Sequence, residues 1–571
     1  MTELRRSLPP GMDDAVNATL QRCDDDALVS RMWARDASVW TGKGEEAWLG
    51  WLDVGAERAD RFAELVDAVR AAGFVDAVVL GMGGSSLCPD VLAATFPSTA
   101  GFPRLHVLDS TDPQQVKTIE DRVTLADTLF FVSSKSGTTL EPNIFAAYFF
   151  ERMRQLVGDA QAGSHFIAIT DPGSPLEDLA RRHRYRAVFA GVPSIGGRYS
   201  ALSDFGMVPG AAAGIDVTAL LTSAGAMARA CAPSVPADEN PGLELGAIIG
   251  ACVDAGRDKL TFVASPGVAR LGGWLEQLLA ESTGKQGRGV IPVDGEPLGT
   301  PEVYGYDRLF AYIRLATDDD GLDATLDALE KAGQPVVRIE LSDPHELGGE
   351  FFRWEFATAI AGSLIGINPF DQPDVEEAKV LARQITDRYD ETGALSAQTP
   401  FSETGGLRLY ADDANHEELI TMAGEDAGVS AYLNAHLARA GAGDYVALLA
   451  YIEMTPGNET LLNEIRALVR DARRVATCVG FGPRFQHSTG QAYKGGPNTG
   501  VFLQITCDDV VDLPVPGHRY SFGVVKEAEA RSDLDVLSTR GRRVLRLHLG
   551  MDVRAGLEHL RDGVEQLARV R

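Results

Sequence analysis

Between Phe74 and Val192 one unit recurs: a short run of β-branched and aromatic residues, a loop of small residues, then a stretch with helical spacing. The predicted strands are Asp76–Leu80, Arg104–Leu108, Thr128–Val132, His165–Thr170 and Arg186–Val192. The run Thr128–Val132 is apolar at successive rather than alternate positions, as expected for a strand covered on both faces. Strands alternating with helices require crossover connections, and so a parallel sheet layered by helices. A second cycle follows the Pro-rich stretch Cys231–Pro241. Its predicted strands are Leu260–Ala264, Leu309–Arg314 and Val336–Leu341, with helices around Leu271–Glu281, Ala324–Ala332 and Phe351–Leu364. The alternation resumes at Tyr445–Ile452, Val475–Gly480, Val501–Thr506 and Val544–Leu549. The expected architecture is α/β, with two doubly wound parallel-sheet domains at 73–230 and 242–571. A helical segment, 1–72, leads into them, and a mostly helical insertion occupies about 399–444.

The most informative unit is Thr128–Asn143. Its strand breaks into Ser133, Ser134, Lys135, Ser136, Gly137, Thr138 and Thr139 just before a helix predicted at Asn143–Leu156. Pro142 suits a first helical turn, and Glu141 complements the positive end of the dipole. A helix N-terminus presents free N–H groups, the hydroxyls add donors, and Gly137 permits close approach, so a phosphate monoester suits this loop. Lys135 supplies its only positive charge. With 53 basic and 81 acidic residues the net charge is −28, so an anion must be held by such a local pocket, and general nucleic-acid binding is disfavoured. Six scattered cysteines without a CxxC pair indicate neither a zinc knuckle nor a disulfide framework and suit a reducing compartment. Met1–Asp14 lacks an apolar signal core and no run reaches membrane-spanning length, so a cytoplasmic location without membrane contact is expected.

Gly81-Met-Gly-Gly-Ser-Ser86 also follows a predicted strand. A dinucleotide fingerprint needs a third glycine where Ser86 stands, whereas a tight Gly-Gly-Ser turn serves equally to bring backbone N–H groups to a sugar phosphate. With the hydroxyl loop, this turn resembles the sugar isomerase fold. Four more segments narrow the resemblance to the glucose-6-phosphate isomerase family: Gly196-Gly-Arg-Tyr-Ser200, Gln277-Leu-Leu-Ala-Glu-Ser-Thr-Gly-Lys285, Asn368-Pro-Phe-Asp-Gln-Pro-Asp-Val-Glu-Glu-Ala-Lys379 and His487-Ser-Thr-Gly-Gln491. The resemblance spans roughly residues 74 to 550 by motif placement. The helical lead-in and the tail look most like the isomerase half of transaldolase/glucose-6-phosphate isomerase fusions. No transaldolase half precedes them in this sequence, and a free-standing isomerase is expected.

The resemblance implies reversible conversion of glucose 6-phosphate and fructose 6-phosphate through ring opening and a cis-enediol, without metal or cofactor. It also points to a homodimer. Matched by motif, Ser134, Lys135, Ser136, Thr138 and Thr139 fall on the phosphate loop, with Gly84 and Ser85 near the sugar. Glu281 matches the base that moves a proton between carbons 2 and 1, and Arg198 the guanidinium that stabilises the enediolate. Gln277, one helical turn before Glu281, and Gln372 complete the substrate contacts, and Lys379 belongs to ring opening. The family's ring-opening histidine ordinarily lies between the base and the Phe-Asp-Gln segment, where this sequence has only His345. The context of His487 matches the motif instead and is favoured over His345. The alternatives are an isomerase of another phosphosugar such as mannose 6-phosphate, or a sugar-phosphate-binding regulator. The regulator would need none of Glu281, Arg198 and Lys379.

Overall fold

A computed structural model of the chain describes residues 2–55, 62–319 and 321–569. Of the helical segment expected over 1–72, residues 1 and 56–61 lie outside those described. The first sheet has the order Arg104–Leu108, Asp76–Leu80, Thr128–Ser133, Phe166–Thr170, Ala187–Ala190, parallel throughout. In the second, Val336–Leu341, Arg308–Leu315, Lys259–Ala264 and Ile291–Val293 run parallel, and Leu4–Ser7 pairs antiparallel with Val336–Leu341 at the edge. The predicted strands fall within one or two residues of those observed. Strand order places Asp76–Leu80 and Thr128–Ser133 at the centre of the first sheet, where all their residues are buried.

The tail does not extend the second sheet, and the expectation of two sheets is corrected. A third, six-stranded sheet has the order Ser402–Thr404, Leu407–Tyr410, Arg543–His548, Gly500–Thr506, Tyr445–Tyr451, Ala476–Phe481, with only the first two strands antiparallel to their neighbours. The stretch 399–444, expected as a helical insertion, supplies its edge hairpin as well as the helices Asp413–Ala423 and Val429–Ala438. The hairpin turns on Gly405 and Gly406, both at positive φ. Its inner strand buries Leu407 and Leu409 and leaves Arg408 and Tyr410 partly exposed, a two-residue alternation too short to stand out between helical stretches. Apolar runs mark strands as buried but do not say which neighbour each takes.

The helix Leu347–Ile365, buried over most of its surface, packs against Val217–Ala230 and Pro241–Asp254 and joins the first two sheets into one core. Ile291 and Val293 at the edge of the second sheet pack with Tyr445, Tyr451 and Phe502 of the third. The helices that bear Glu141, Glu281, Lys379 and Glu529 are, in turn, α1 (Leu140–Val157), α2 (Leu271–Thr283), α3 (Glu376–Thr392) and α4 (Phe522–Thr539). The start of α4, at Phe522 and Val525, packs onto the first sheet's core, so the third sheet is tied to both others. Among the described residues no helix is long and apolar enough to cross a membrane.

Candidate active site

The loops that leave the C-terminal ends of the central strands converge, as ligand-binding loops do in parallel α/β sheets. In the hydroxyl loop, Ser134 Oγ donates to Thr139 Oγ1 (3.3 Å), Thr138 N–H donates to Ser136 Oγ (3.2 Å), and Ser136 and Thr138 share a hydroxyl contact of 2.9 Å. Thr139 is the N-cap of α1 but makes no side-chain cap bond, so the first-turn N–H groups keep their capacity for an anion. Gly137 is required on two counts: its φ is +67°, and a Cβ there would stand 2.8 Å from the Leu176 backbone nitrogen. Lys135 differs from expectation. Its ammonium pairs with Asp171 (2.5 Å) and donates to the Val192 and Pro193 carbonyls, so the hydroxyls and the helix end must carry the attraction for phosphate.

The Gly81–Ser86 turn lies backbone to backbone on the Gly196–Ser200 turn. A Cβ on Gly84 would stand 2.0 Å from the Gly197 carbonyl oxygen, and Ser200 Oγ donates to Gly84 O (3.2 Å). This close approach brings the buried Ser85 beside the segment that carries Arg198. Arg198 is only 3% exposed, and its guanidinium spends every donor. Nε donates to Ser282 Oγ (2.9 Å), Nη1 to Glu281 Oε2 (3.1 Å) and Gln372 Oε1 (2.9 Å), and Nη2 to the carbonyls of Pro369 (2.8 Å) and Asp371 (2.9 Å). The buried Glu281 thus faces a fixed positive charge. Lys285, one turn beyond it, donates to Asn368 O (2.5 Å) and pairs with Asp371 (2.8 Å), fastening the same 368–372 segment. Burial and the neighbouring Arg198 push the Lys285 ammonium down to about 7.

Glu281 and Gln277 both sit on α2, as their spacing predicted, but they reach different partners. Gln277 Nε2 donates to the His487 carbonyl (2.8 Å) and lies against Gly83, where a Cβ would stand 2.7 Å from it. The structure therefore brings His487 to the site even though it follows the Phe-Asp-Gln segment in sequence. The residues before it act as anchors. Arg484 pairs with Asp90 (2.7 Å), in the first turn of the helix Leu87–Thr95, and with Asp109 (3.4 Å), just after the strand Arg104–Leu108. Gln486 donates to Tyr451 Oη and to Glu529 O (3.1 Å).

His487 Nε2 lies 2.6 Å from Glu141 Oε1, and among the described residues Nδ1 has no hydrogen-bond partner. Burial opposes ionisation of Glu141, but the His487 ring outweighs it, with help from Lys379, and holds the carboxyl well below the usual carboxylate range. An ionised carboxylate only accepts, so Nε2 carries a hydrogen, and in the neutral ring Nδ1 is the nitrogen with the lone pair. Lys379 lies on α3, half-buried. His345 is elsewhere: it bonds Asp343 (2.7 Å) and packs on Phe96, and none of its contacts is with a site residue.

Sequence reasoning gave Glu141 only a helix-dipole role, and it passed over Arg484, Ser282 and Glu529. Glu141 had a usable signal, a carboxylate in the first turn after a hydroxyl loop. Glu529 had none, since it lies in a tail helix without a motif. The Asp112, Cys507 and Asp509 side chains cluster closely enough to hold a cation, but Lys526 already reaches all three.

The model of the phosphoglucose isomerase family matches residues 57–291. A crystal structure of a protein from Thermus thermophilus, 28% identical, superposes with a TM-score of 0.58 over 67% of this chain and 99% of that one. A glucose-6-phosphate isomerase from Chlamydia trachomatis, 24% identical, shares the fold with a TM-score of 0.56 over 68% and 89%. Fold and site together define a phosphosugar isomerase of the sugar isomerase fold. The probable glucose-6-phosphate isomerase of Methanococcus maripaludis is 30% identical over 59% of this chain and 84% of its own length. The glucose-6-phosphate isomerase of Rubrobacter xylanophilus is 32% identical over 57% and 85%. The chain belongs to the glucose-6-phosphate isomerase family.

Proposed function

We propose that the chain interconverts glucose 6-phosphate and fructose 6-phosphate in the cytoplasm, without a metal or cofactor. The observation that carries this reading is the buried Glu281–Arg198 pair, a base facing a fixed cation, in a fold whose hydroxyl-lined helix N-terminus suits a phosphate. Ser134, Ser136, Thr138, Thr139 and the first N–H groups of α1 hold the phosphate. His487 Nδ1 takes the anomeric hydroxyl proton, the bond from the anomeric carbon to the ring oxygen breaks, and the ring oxygen takes a proton from Lys379, directly or through water, so that the ring opens. Glu281 then takes the proton from carbon 2 and returns it to carbon 1. The Arg198 guanidinium, already oriented by its protein partners, stabilises the charge of the enediolate without reorganisation. Gln277 and Gln372 hold the segments that flank the sugar.

The test is conversion of fructose 6-phosphate to glucose 6-phosphate by the purified chain, read with a coupled assay. A parallel run uses mannose 6-phosphate and a third includes a chelator. Turnover of glucose 6-phosphate unaffected by chelator is expected; preference for mannose 6-phosphate, or loss with chelator, rejects the reading. The cradle makes a separate prediction. Replacing Ser134 and Thr139 together by Ala should raise KM by about tenfold or more, two hydrogen bonds to a charged group being lost, with little change in kcat. Phosphate contacts persist from ground state to transition state, so an unchanged KM would contradict the assignment.

A further inference from the structure

Next to Glu141 lies a second buried carboxyl. Glu529 on α4 is 3% exposed and Glu141 6%, and the two carboxyls are within hydrogen-bond reach of each other. Glu529 Oε2 accepts from Thr111 Oγ1 (2.6 Å), while Oε1 meets no donor among the described residues. Two adjacent carboxyls in a dry site do not both ionise at neutral pH. The His487 ring and Lys379 favour charge on Glu141, whereas Glu529 has only a hydroxyl. The one proton therefore belongs on Glu529, and it satisfies the otherwise unmatched Oε1 by donation to Glu141.

We propose that Glu529 is a positioning residue of the isomerisation site, donating its carboxyl hydrogen to Glu141 and thereby setting the strength with which Glu141 holds the His487 ring. The pair carries one negative charge and one proton, and no proton leaves it during turnover. The proposal rests on the reading of His487 as the ring-opening group. Burial, followed by the charge of Glu141, drives the Glu529 carboxyl far above the ordinary carboxylate range, in keeping with a neutral donor. Other charged groups nearby are accounted for. Lys526, one turn earlier on α4, pairs with Asp112 and Asp509, and Asp533, one turn later, pairs with Lys494 (2.5 Å). Tyr451 on the third sheet is held un-ionised by burial and then by Asp533.

The test compares Glu529→Gln and Glu529→Leu. A Gln amide donates to Glu141 as a neutral acid does, so the acid limb of the kcat/KM profile should stay where the parent's lies. Leu removes the donor, leaves Glu141 a stronger acceptor toward His487, and should move that limb up by about 0.5–1 pH unit. If Glu529 were ionised, the Gln variant would instead remove a charge and move the limb down, which overturns the proposal. A Leu variant in which neither the rate limb nor the His487 ring titration moves overturns it too. Should the Leu variant not fold, infrared difference spectra decide the question: a protonated-carboxyl stretch present in the parent at neutral pH must vanish in Glu529→Gln, and its absence in the parent refutes the idea. NMR titration of the His487 ring in the sugar-free enzyme separates the two readings. If the ring titration follows these variants while the rate limb does not, the role of His487 in catalysis fails and the control exerted by Glu529 stands.

Discussion

Glu281→Gln is expected to bind sugar phosphate as the parent does and to lose isomerisation by about 10²–10⁴-fold, the usual worth of a positioned general base. The substitution keeps the side chain's shape and removes only basicity. The fold around it has reason to hold. Arg198 loses one charged partner but keeps the Gln372 oxygen, the Ser282 hydroxyl and the carbonyls of Pro369 and Asp371, so the guanidinium stays in place over the sugar site. A Gln carbonyl also still accepts from Nη1. Binding measured by calorimetry with an unreactive phosphosugar should therefore change little, while exchange of the carbon 1 proton with solvent stops. Near-parental turnover in this variant would mean that another group moves the proton.

Much of this site was legible in the sequence because its parts are local. The hydroxyl loop, the Gly-Gly-Ser turn and the Gln277–Glu281 spacing each lie within one strand-end loop or one helical turn, where period and residue type decide geometry. Arg198 was legible as a motif, but its role in drawing together residues 281, 282 and 369–372 depends on packing between sheets that no local pattern encodes. Lys135 shows the opposite case: its charge was read correctly and its partner was not, since Asp171 approaches from the neighbouring strand-end loop. The third sheet was missed for the same reason. Tyr445–Tyr451 and Gly500–Thr506 look alike whether they join an old sheet or begin a new one. The consequence is functional, because that sheet delivers both His487 and the helix carrying Glu529.

The relocated histidine gives the sharpest test of how the three sheets share the reaction. His487→Asn should leave the phosphate loop and the Glu281–Arg198 pair intact, since the segment's anchors, Arg484 to Asp90 and Asp109 and Gln277 to the residue 487 carbonyl, do not involve the imidazole. What it removes is Nδ1, the nitrogen of the neutral ring that can take a proton when Glu141 fixes the hydrogen on Nε2. Cyclic fructose 6-phosphate should then turn over about 10²–10⁴-fold more slowly, as for loss of a general acid–base group. An open-chain analogue bypasses that step, so its carbon 1 proton exchange should survive His487→Asn and vanish in Glu281→Gln. Glu141→Gln should share the selective ring-opening defect in milder form, because an amide no longer dictates which ring nitrogen carries the hydrogen. His345→Asn should match the parent in every assay, its ring being occupied with Asp343 and Phe96. If His345→Asn showed the selective defect while His487→Asn turned over cyclic substrate normally, the loop after Ala476–Phe481 would be a scaffold and ring opening would belong to the second sheet.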